Sequence, residues 1–218
     1  MIPLDDKGYF ITGSDTDVGK TYIACEIVRQ LCQRGIDIET RKPVESGCVL
    51  TVSGELLTHD AAALQLANEH RESIERIAPY RFRAALAPHR AARLENRELY
   101  LEELVDACSR DHPGHRLLVE GAGGFYSPLA ENALNSDLAS ALQLPVIIVV
   151  NDRIGAVNQA LMTAETVQSR HLRVAAIVLN SVEAPTDDAM DNAADLQAHY
   201  DLPLFCCAHA SPLPILFQ

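Results

Sequence analysis

The chain has 218 residues, 48% of them hydrophobic, with 18 basic against 30 acidic side chains and a formal net charge of −12 at pH 7. That length suffices for one substantial core, and the acidic balance leaves no excess of cations for a phosphate backbone or an anionic lipid surface, so neither nucleic acid nor membrane is expected as a partner. The longest apolar run, 144–150, is far short of the ~20 residues of a spanning helix, and small-molecule chemistry gains by elimination.

The N-terminus shows no basic stretch followed by an apolar one, so no export signal is visible and a cytoplasmic location is expected. Residues 9–12 form a short β-prone run ending in Gly13, and 20–34 place Ile23, Ile27, Val28 and Leu31 at helical spacing, with Gly35 as the stop. A second strand is expected over 36–40, just before Lys42-Pro43. Helices are expected over 60–69 and 98–110. The stretch between them, with Pro79, Pro88 and arginines at 81, 83, 90, 93 and 97, receives no assignment, and those arginines read as a solvated, locally paired face.

Further along, 116–120 reads as a strand running into Gly121-Ala122-Gly123-Gly124, and 144–150 as a buried strand. A helix over 157–169, a strand over 174–180, a helix over 186–199 and a last strand over 204–206 complete the chain. Continuous apolar strands alternating with helices argue an α/β fold with a mostly parallel sheet and helices on both faces. Without repeats or Gly/Ser linkers, 1–218 reads as a single domain. The six cysteines include no CxxC pair and are expected as reduced thiols. His112-Pro113-Gly114-His115 reads as a loop, because Pro-Gly marks a turn rather than a metal-binding helix face.

Gly13-Ser14-Asp15-Thr16-Asp17-Val18-Gly19-Lys20-Thr21 lies between an expected strand and an expected helix, the context of a P-loop. Backbone N–H groups there can wrap a triphosphate at the positive end of a helix, Lys20 can reach the β- and γ-phosphates, and the Thr21 hydroxyl can bind Mg²⁺. The strict spacing fails by one residue, since the template wants glycine at 14 and this chain has it at 13. Mg²⁺ takes oxygen ligands, which points to carboxylates at strand ends. Glu120, after three apolar strand residues, fits. Asp60, at a helix start, reads either as a second ligand or as a plain N-cap.

At Gly13 to Thr21, Lys42-Pro43-Val44-Glu45-Ser46-Gly47 and Val119-Glu120-Gly121-Ala122-Gly123-Gly124, the chain resembles the dethiobiotin synthetase family, three motifs in the family's order across nearly the whole length. The resemblance implies the deviant P-loop ATPase fold, a homodimer, and a reaction in biotin synthesis that makes dethiobiotin from 7,8-diaminononanoate, CO₂ and ATP with Mg²⁺. It implies nucleotide contacts at Asp17, Val18, Gly19, Lys20, Thr21, Tyr22, Asp60, Glu120, Gly121, Ala122 and Gly123, with metal ligands Thr21, Asp60 and Glu120. It implies a catalytic Lys42 acting with Lys20, Thr16 beside the carbamate, and Ser46 on the substrate. Asn180, with Ser181, matches the base-reading strand end. Gly155 and Asn158 match a loop that reaches across the dimer interface to the substrate's carboxylate, so the active site is shared between subunits.

Two positions depart from the family pattern. Asp17 stands where members often carry Glu. Near the C-terminus, Cys206-Cys207-Ala208-His209 replaces a Gly-Glu-hydrophobic-Pro turn that contacts base or ribose, which leaves base selectivity open. The rival reading is a nucleotide-switched ATPase of the partitioning type. Against it stand Asp15, where such switches carry a signature lysine, and a C-terminal Pro214-Ile215-Leu216-Phe217-Gln218 in place of an amphipathic helix.

Overall fold

In the computed structural model, which describes residues 1–2, 4–52, 54–183, 190–209 and 211–217, the apolar runs lie side by side as parallel strands. The first third of the chain forms β1 (Gly8–Gly13), α1 (Lys20–Gln33), β2 (Ile38–Arg41), β3 (Val44–Ser46), β4 (Val49–Leu50), β5 (Leu56–Leu57) and α2 (Asp60–Ala67). The middle adds α3 (Ile74–Ile77), β6 (Tyr80–Phe82), α4 (Pro88–Leu94), α5 (Leu101–Ala107), β7 (Arg116–Gly124), β8 (Pro128–Ala130), β9 (Ala133–Leu134) and α6 (Asn135–Leu142). The last third holds β10 (Val146–Asn151), α7 (Ala156–Ser169), β11 (Val174–Asn180), α8 (Asn192–His199) and β12 (Leu204–Cys207).

The main sheet has six strands in the order β12-β11-β10-β1-β7-β2, every neighbouring pair parallel. The central strands β1, β10 and β11 are buried on both faces at nearly every position, so they read as continuously apolar rather than alternating. Tyr9, Ile11, Leu118, Ile147 and Val149 pack with Ile23, Ile27, Leu31, Leu64 and Ile77 from α1, α2 and α3. Phe10, Val119, Ile148 and Val150 pack on the other side with Ala91, Leu104, Leu138, Ala164 and Leu196 from α4 to α8. The C-terminal tail closes the first face: Leu213, Leu216 and Phe217 are buried against α1, and Gln30 of that helix donates to Pro214 O at 3.0 Å and accepts from Leu216 N at 3.1 Å.

The sequence expectations meet their limits at the polar and short elements. The unassigned stretch holds β6 and α4; Pro88 opens α4, where its missing N–H costs nothing. Most of its arginines pair locally, as expected, Arg81 with Glu75 at 3.3 Å, Arg83 with Glu95 at 3.6 Å, Arg97 with Glu103 at 2.7 Å, and Arg93 with Glu131. The helix expected over 98–110 is confined to Leu101–Ala107, started where Glu103 accepts from Tyr100 N at 3.0 Å. Of the helix expected over 186–199, residues 186–189 lie outside the described residues and α8 begins at Asn192. The strand expected to end at Glu120 continues through the glycines to Gly124, and its register against β1 shifts only after Glu120, which stands opposite Ile11. Among the described residues, no helix is long and apolar enough to cross a membrane.

Candidate active site

The six strands of the main sheet run the same way, so the carboxyl ends of β1, β2 and β7 deliver their loops to one edge, the place where open α/β sheets bind ligands. The loop after β1 closes despite Ser14 because the tight crossings fall elsewhere. A Cβ on Gly13 would lie 2.6 Å from Asp15 O, and one on Gly19, whose φ is +86°, would lie 2.2 Å from Asn180 Nδ2. The extra residue is taken up by Asp17, which adopts the left-handed φ of 58°. Lys20 then heads α1, buried, with Nζ donating to Asp15 O at 2.9 Å. Burial, with the nearby charge of Lys42 next, lowers its pKa to about 8.

Lys42 follows β2 directly and is buried. Its Nζ lies 2.6 Å from Glu120 Oε1, 2.7 Å from Asp60 Oδ2 and 3.3 Å from Gly121 O. The Thr21 hydroxyl donates to the same Glu120 oxygen at 2.8 Å. Burial alone would lower the Lys42 pKa, but Glu120 and Asp60 outweigh it and hold the ammonium above the ordinary lysine range. The two acids respond differently to one cation. Burial pushes the enclosed Glu120 carboxyl up, whereas at the more open Asp60 burial is outweighed by Lys42 and the carboxyl lies below its ordinary value.

Glu120 Oε2 is buried without a hydrogen-bond partner among the described residues. An orphaned carboxylate oxygen beside a threonine hydroxyl and a second carboxylate is a set of hard oxygen donors, the kind Mg²⁺ takes. The residues present therefore fit a divalent cation, with Lys42 standing between the same two acids.

Asp60 is not the N-cap of α2; His59 holds that position. The helix start is held by Glu45, whose Oε1 accepts from His59 N at 2.6 Å and Asp60 N at 3.1 Å and whose Oε2 accepts from Ala61 N at 2.9 Å. The sequence reading assigned Glu45 no role, though three unsatisfied N–H groups at a helix start call for an acceptor. Glu45→Ala is expected to lower the unfolding free energy by roughly 2–4 kcal/mol, since it strands these donors. Urea unfolding measures this, and an unchanged midpoint would mean that other contacts hold α2. Asn135 was also missed. Its amide accepts from Ala122 N at 2.9 Å and donates to Gly124 O at 3.3 Å, fixing the glycine stretch of β7 from a position 13 residues on, a pairing only the tertiary fold creates.

Thr16, Asp17, Gly19, Lys20, Thr21, Lys42, Ser46, Asp60, Glu120, Ala122 and Gly123 line one cleft of about 280 Å³. Gly121 lies behind it in β7, and the Val18 side chain is turned into the core while its carbonyl accepts from Asn180 Nδ2 at 2.9 Å. Tyr22, Asn180 and Ser181 line an adjoining pocket of about 240 Å³ with Gly19, Val182, Ala208 and His209. Ser46 donates to Leu86 O at 2.7 Å. Gly155, at the start of α7, and Asn158 line neither cavity.

Two solved structures share this architecture. Signal Recognition Particle 54 kDa protein from Aeropyrum pernix, in complex with GDP, matches over 94% of this chain and 42% of that one, with a TM-score of 0.51 at 19% identity. The MinC:MinD cell division protein complex of Aquifex aeolicus matches over 93% and 81%, with a TM-score of 0.52 at 15% identity. Likeness at that identity speaks to fold alone, and the fold is that of the P-loop NTPases. A family model described as an AAA domain matches residues 7–212. Among curated proteins, the ATP-dependent dethiobiotin synthetase BioD of Ruthia magnifica is 39% identical over 90% of this chain and 88% of its own length. That of Anaeromyxobacter dehalogenans strain 2CP-C is 40% identical over 96% and 89%, and that of Bacillus licheniformis 36% over 91% and 83%. The chain belongs to the dethiobiotin synthetase family.

Proposed function

We propose that this chain, working as one domain over 1–218, uses ATP to carboxylate 7,8-diaminononanoate with CO₂ and close the product into dethiobiotin. The observation that carries the proposal is the cluster of Lys20, Lys42, Thr21, Asp60 and Glu120 at a single cleft, in a chain of this family. The substrate is a diamine. One amine adds to CO₂ and loses a proton, giving a carbamate; a carbamate oxygen attacks the γ-phosphorus and ADP leaves. The second amine then attacks the carbamoyl carbon of the resulting anhydride, phosphate departs, and a five-membered cyclic urea is formed. That last step is intramolecular and entropically cheap.

Two anions, carbamate and triphosphate, must meet, and the cleft supplies cations where they would do so. Lys20 at the head of α1 is placed for the β- and γ-phosphates, and Lys42 for the oxygens that carry developing charge in transfer. Thr16 and Ser46 flank the substrate side of the same cleft. Thr21, Asp60 and Glu120 would hold Mg²⁺, which when bound neutralises phosphate charge. Lys42, between the same two acids, presents its ammonium to the cleft for the substrate. The adenine is assigned to the pocket at Asn180, whose amide has a second N–H and its oxygen available beyond the bond to Val18.

The start of α7, at Gly155 and Asn158, is assigned to the substrate's carboxylate in the cleft of a second protomer, which requires a homodimer. Supporting this are the apolar side chains exposed beside it, Ile154 at 85% and Met162 at 61%. Light scattering should give twice the chain mass; a monomer with full activity would overturn the shared site.

The decisive assay is phosphate release from ATP and Mg²⁺ with and without 7,8-diaminononanoate and bicarbonate, with mass detection of the cyclic urea. Product dependent on every component is the expected result. Phosphate release indifferent to the diamine, with no urea, would favour the nucleotide-switch reading. Lys20→Ala is expected to weaken ATP binding on the order of 10²-fold and product formation at least as much; isothermal titration with ATP checks the first effect separately.

A further inference from the structure

Outside the cleft, the turn joining α5 to β7 folds His112 and His115 onto Glu39 of β2. His112 Nδ1 lies 3.2 Å and His115 Nδ1 3.5 Å from the same oxygen, Glu39 Oε1, and the rings stack with centroids 4.4 Å apart. The lone pairs of that carboxylate do not suffice for this. Oε2 accepts from Arg41 Nη2 at 2.6 Å and Asp111 N at 2.8 Å, and Oε1 already accepts from His112 N at 2.8 Å. A carboxylate offers about four lone-pair sites, so one site faces two ring nitrogens.

We propose that Glu39, His112 and His115 bind a divalent transition-metal ion of the zinc class. Two imidazoles and one carboxylate are a donor set that Zn²⁺ takes, and tetrahedral ligands at about 2.0–2.1 Å stand about 3.3–3.4 Å apart, which brackets closely with the 3.2 and 3.5 Å separations here. The ion takes the remaining Oε1 lone pair and an unprotonated Nδ1 from each ring, and the three residues line a cavity of about 270 Å³ with room for water at a fourth position. Neighbouring guanidiniums are already matched, Arg76 with Asp111 at 2.8 Å and Arg71 with Glu69 at 3.0 Å. Bound metal would clasp the α5–β7 turn to β2, the strand that leads into Lys42.

The test is titration of chelator-treated full-length protein with Co²⁺ and with Zn²⁺. The expected result is one equivalent of Co²⁺ showing the intense visible absorption of a tetrahedral site, and a thermal midpoint that rises with Zn²⁺ as ligand linkage requires. Both should be lost in His112→Ala/His115→Ala and in His112→Gln/His115→Gln, the second of which keeps side-chain N–H donors for Glu39 and so retains the fold of the turn. Absence of the tetrahedral band in the unaltered protein, or an equal band and midpoint shift in the glutamine variant, would overturn the proposal. Neither readout involves turnover, so the outcome is independent of the activity proposed for the cleft.

Discussion

Lys42→Ala should abolish dethiobiotin formation, with a fall on the order of 10³-fold or more, while ATP binding is largely retained. The asymmetry follows from position. Lys42 reaches the cleft from the end of β2, on the acids Glu120 and Asp60, whereas the loop that would hold the phosphates is built by β1 and α1 around Lys20. Truncating Lys42 also leaves Glu120 and Asp60 facing one another without a cation. Glu120, fully enclosed and already pushed up by burial, answers by taking a proton, so the fold should survive the change. Isothermal titration with ATP and mass detection of the urea separate the two effects. Normal turnover in Lys42→Ala would remove it from the catalytic machinery, and parallel losses of binding and turnover would make it a nucleotide ligand instead.

Arg41→Ala should cost the fold about 3–5 kcal/mol, the range for stripping the partner from buried charges. Arg41 is 0% exposed and serves as the hub of the sheet edge: it donates to Glu39 at 2.6 Å, Thr40 O at 2.8 Å and Ser109 O at 3.1 Å, and pairs with Glu72. Glu72 in turn accepts from Thr40 N and from Asn68 Nδ2, each at 2.7 Å. Removing the guanidinium takes the charge partner from two largely buried acids, Glu39 and Glu72. Arg41→Met, which refills the volume, should recover little of the loss, because the acids remain. Urea unfolding of both variants measures the effect. A drop below about 1 kcal/mol would place this network among those whose charges contribute no more than exposed pairs do.

How much of this was legible beforehand differs from residue to residue. The P-loop could be read despite its irregular spacing, because an apolar strand, a Gly-Lys-Thr and a helical period in succession have few other uses. Its geometry could not. Gly13 is needed because Asp15 O and the Val18 side chain close over it, and Gly19 because Asn180, 161 positions later, approaches from β11. Glu120 was recognisable as a strand-end acid, yet the strand does not end there. The Glu120 carboxylate sits within β7, whose glycines continue the strand while Asn135 occupies their backbone groups. Elements with buried polar residues escaped periodicity altogether, as in α6, which opens on the buried Asn135 and Ser136.

The order of apolar runs and amphipathic stretches was enough to determine an α/β fold with a parallel sheet covered on both faces, because the central strands β1, β10 and β11, buried on both sides, are apolar at nearly every position. The motifs were enough to determine the family, since backbone-dominated phosphate loops constrain residue type at consecutive positions. Only the tertiary structure decided which charges meet. Lys42 with Asp60 and Glu120, Glu45 under the start of α2, and Glu39 between two histidines are each assembled from segments distant in sequence. Their energies depend on burial and on distances of a few ångströms, neither of which is encoded locally.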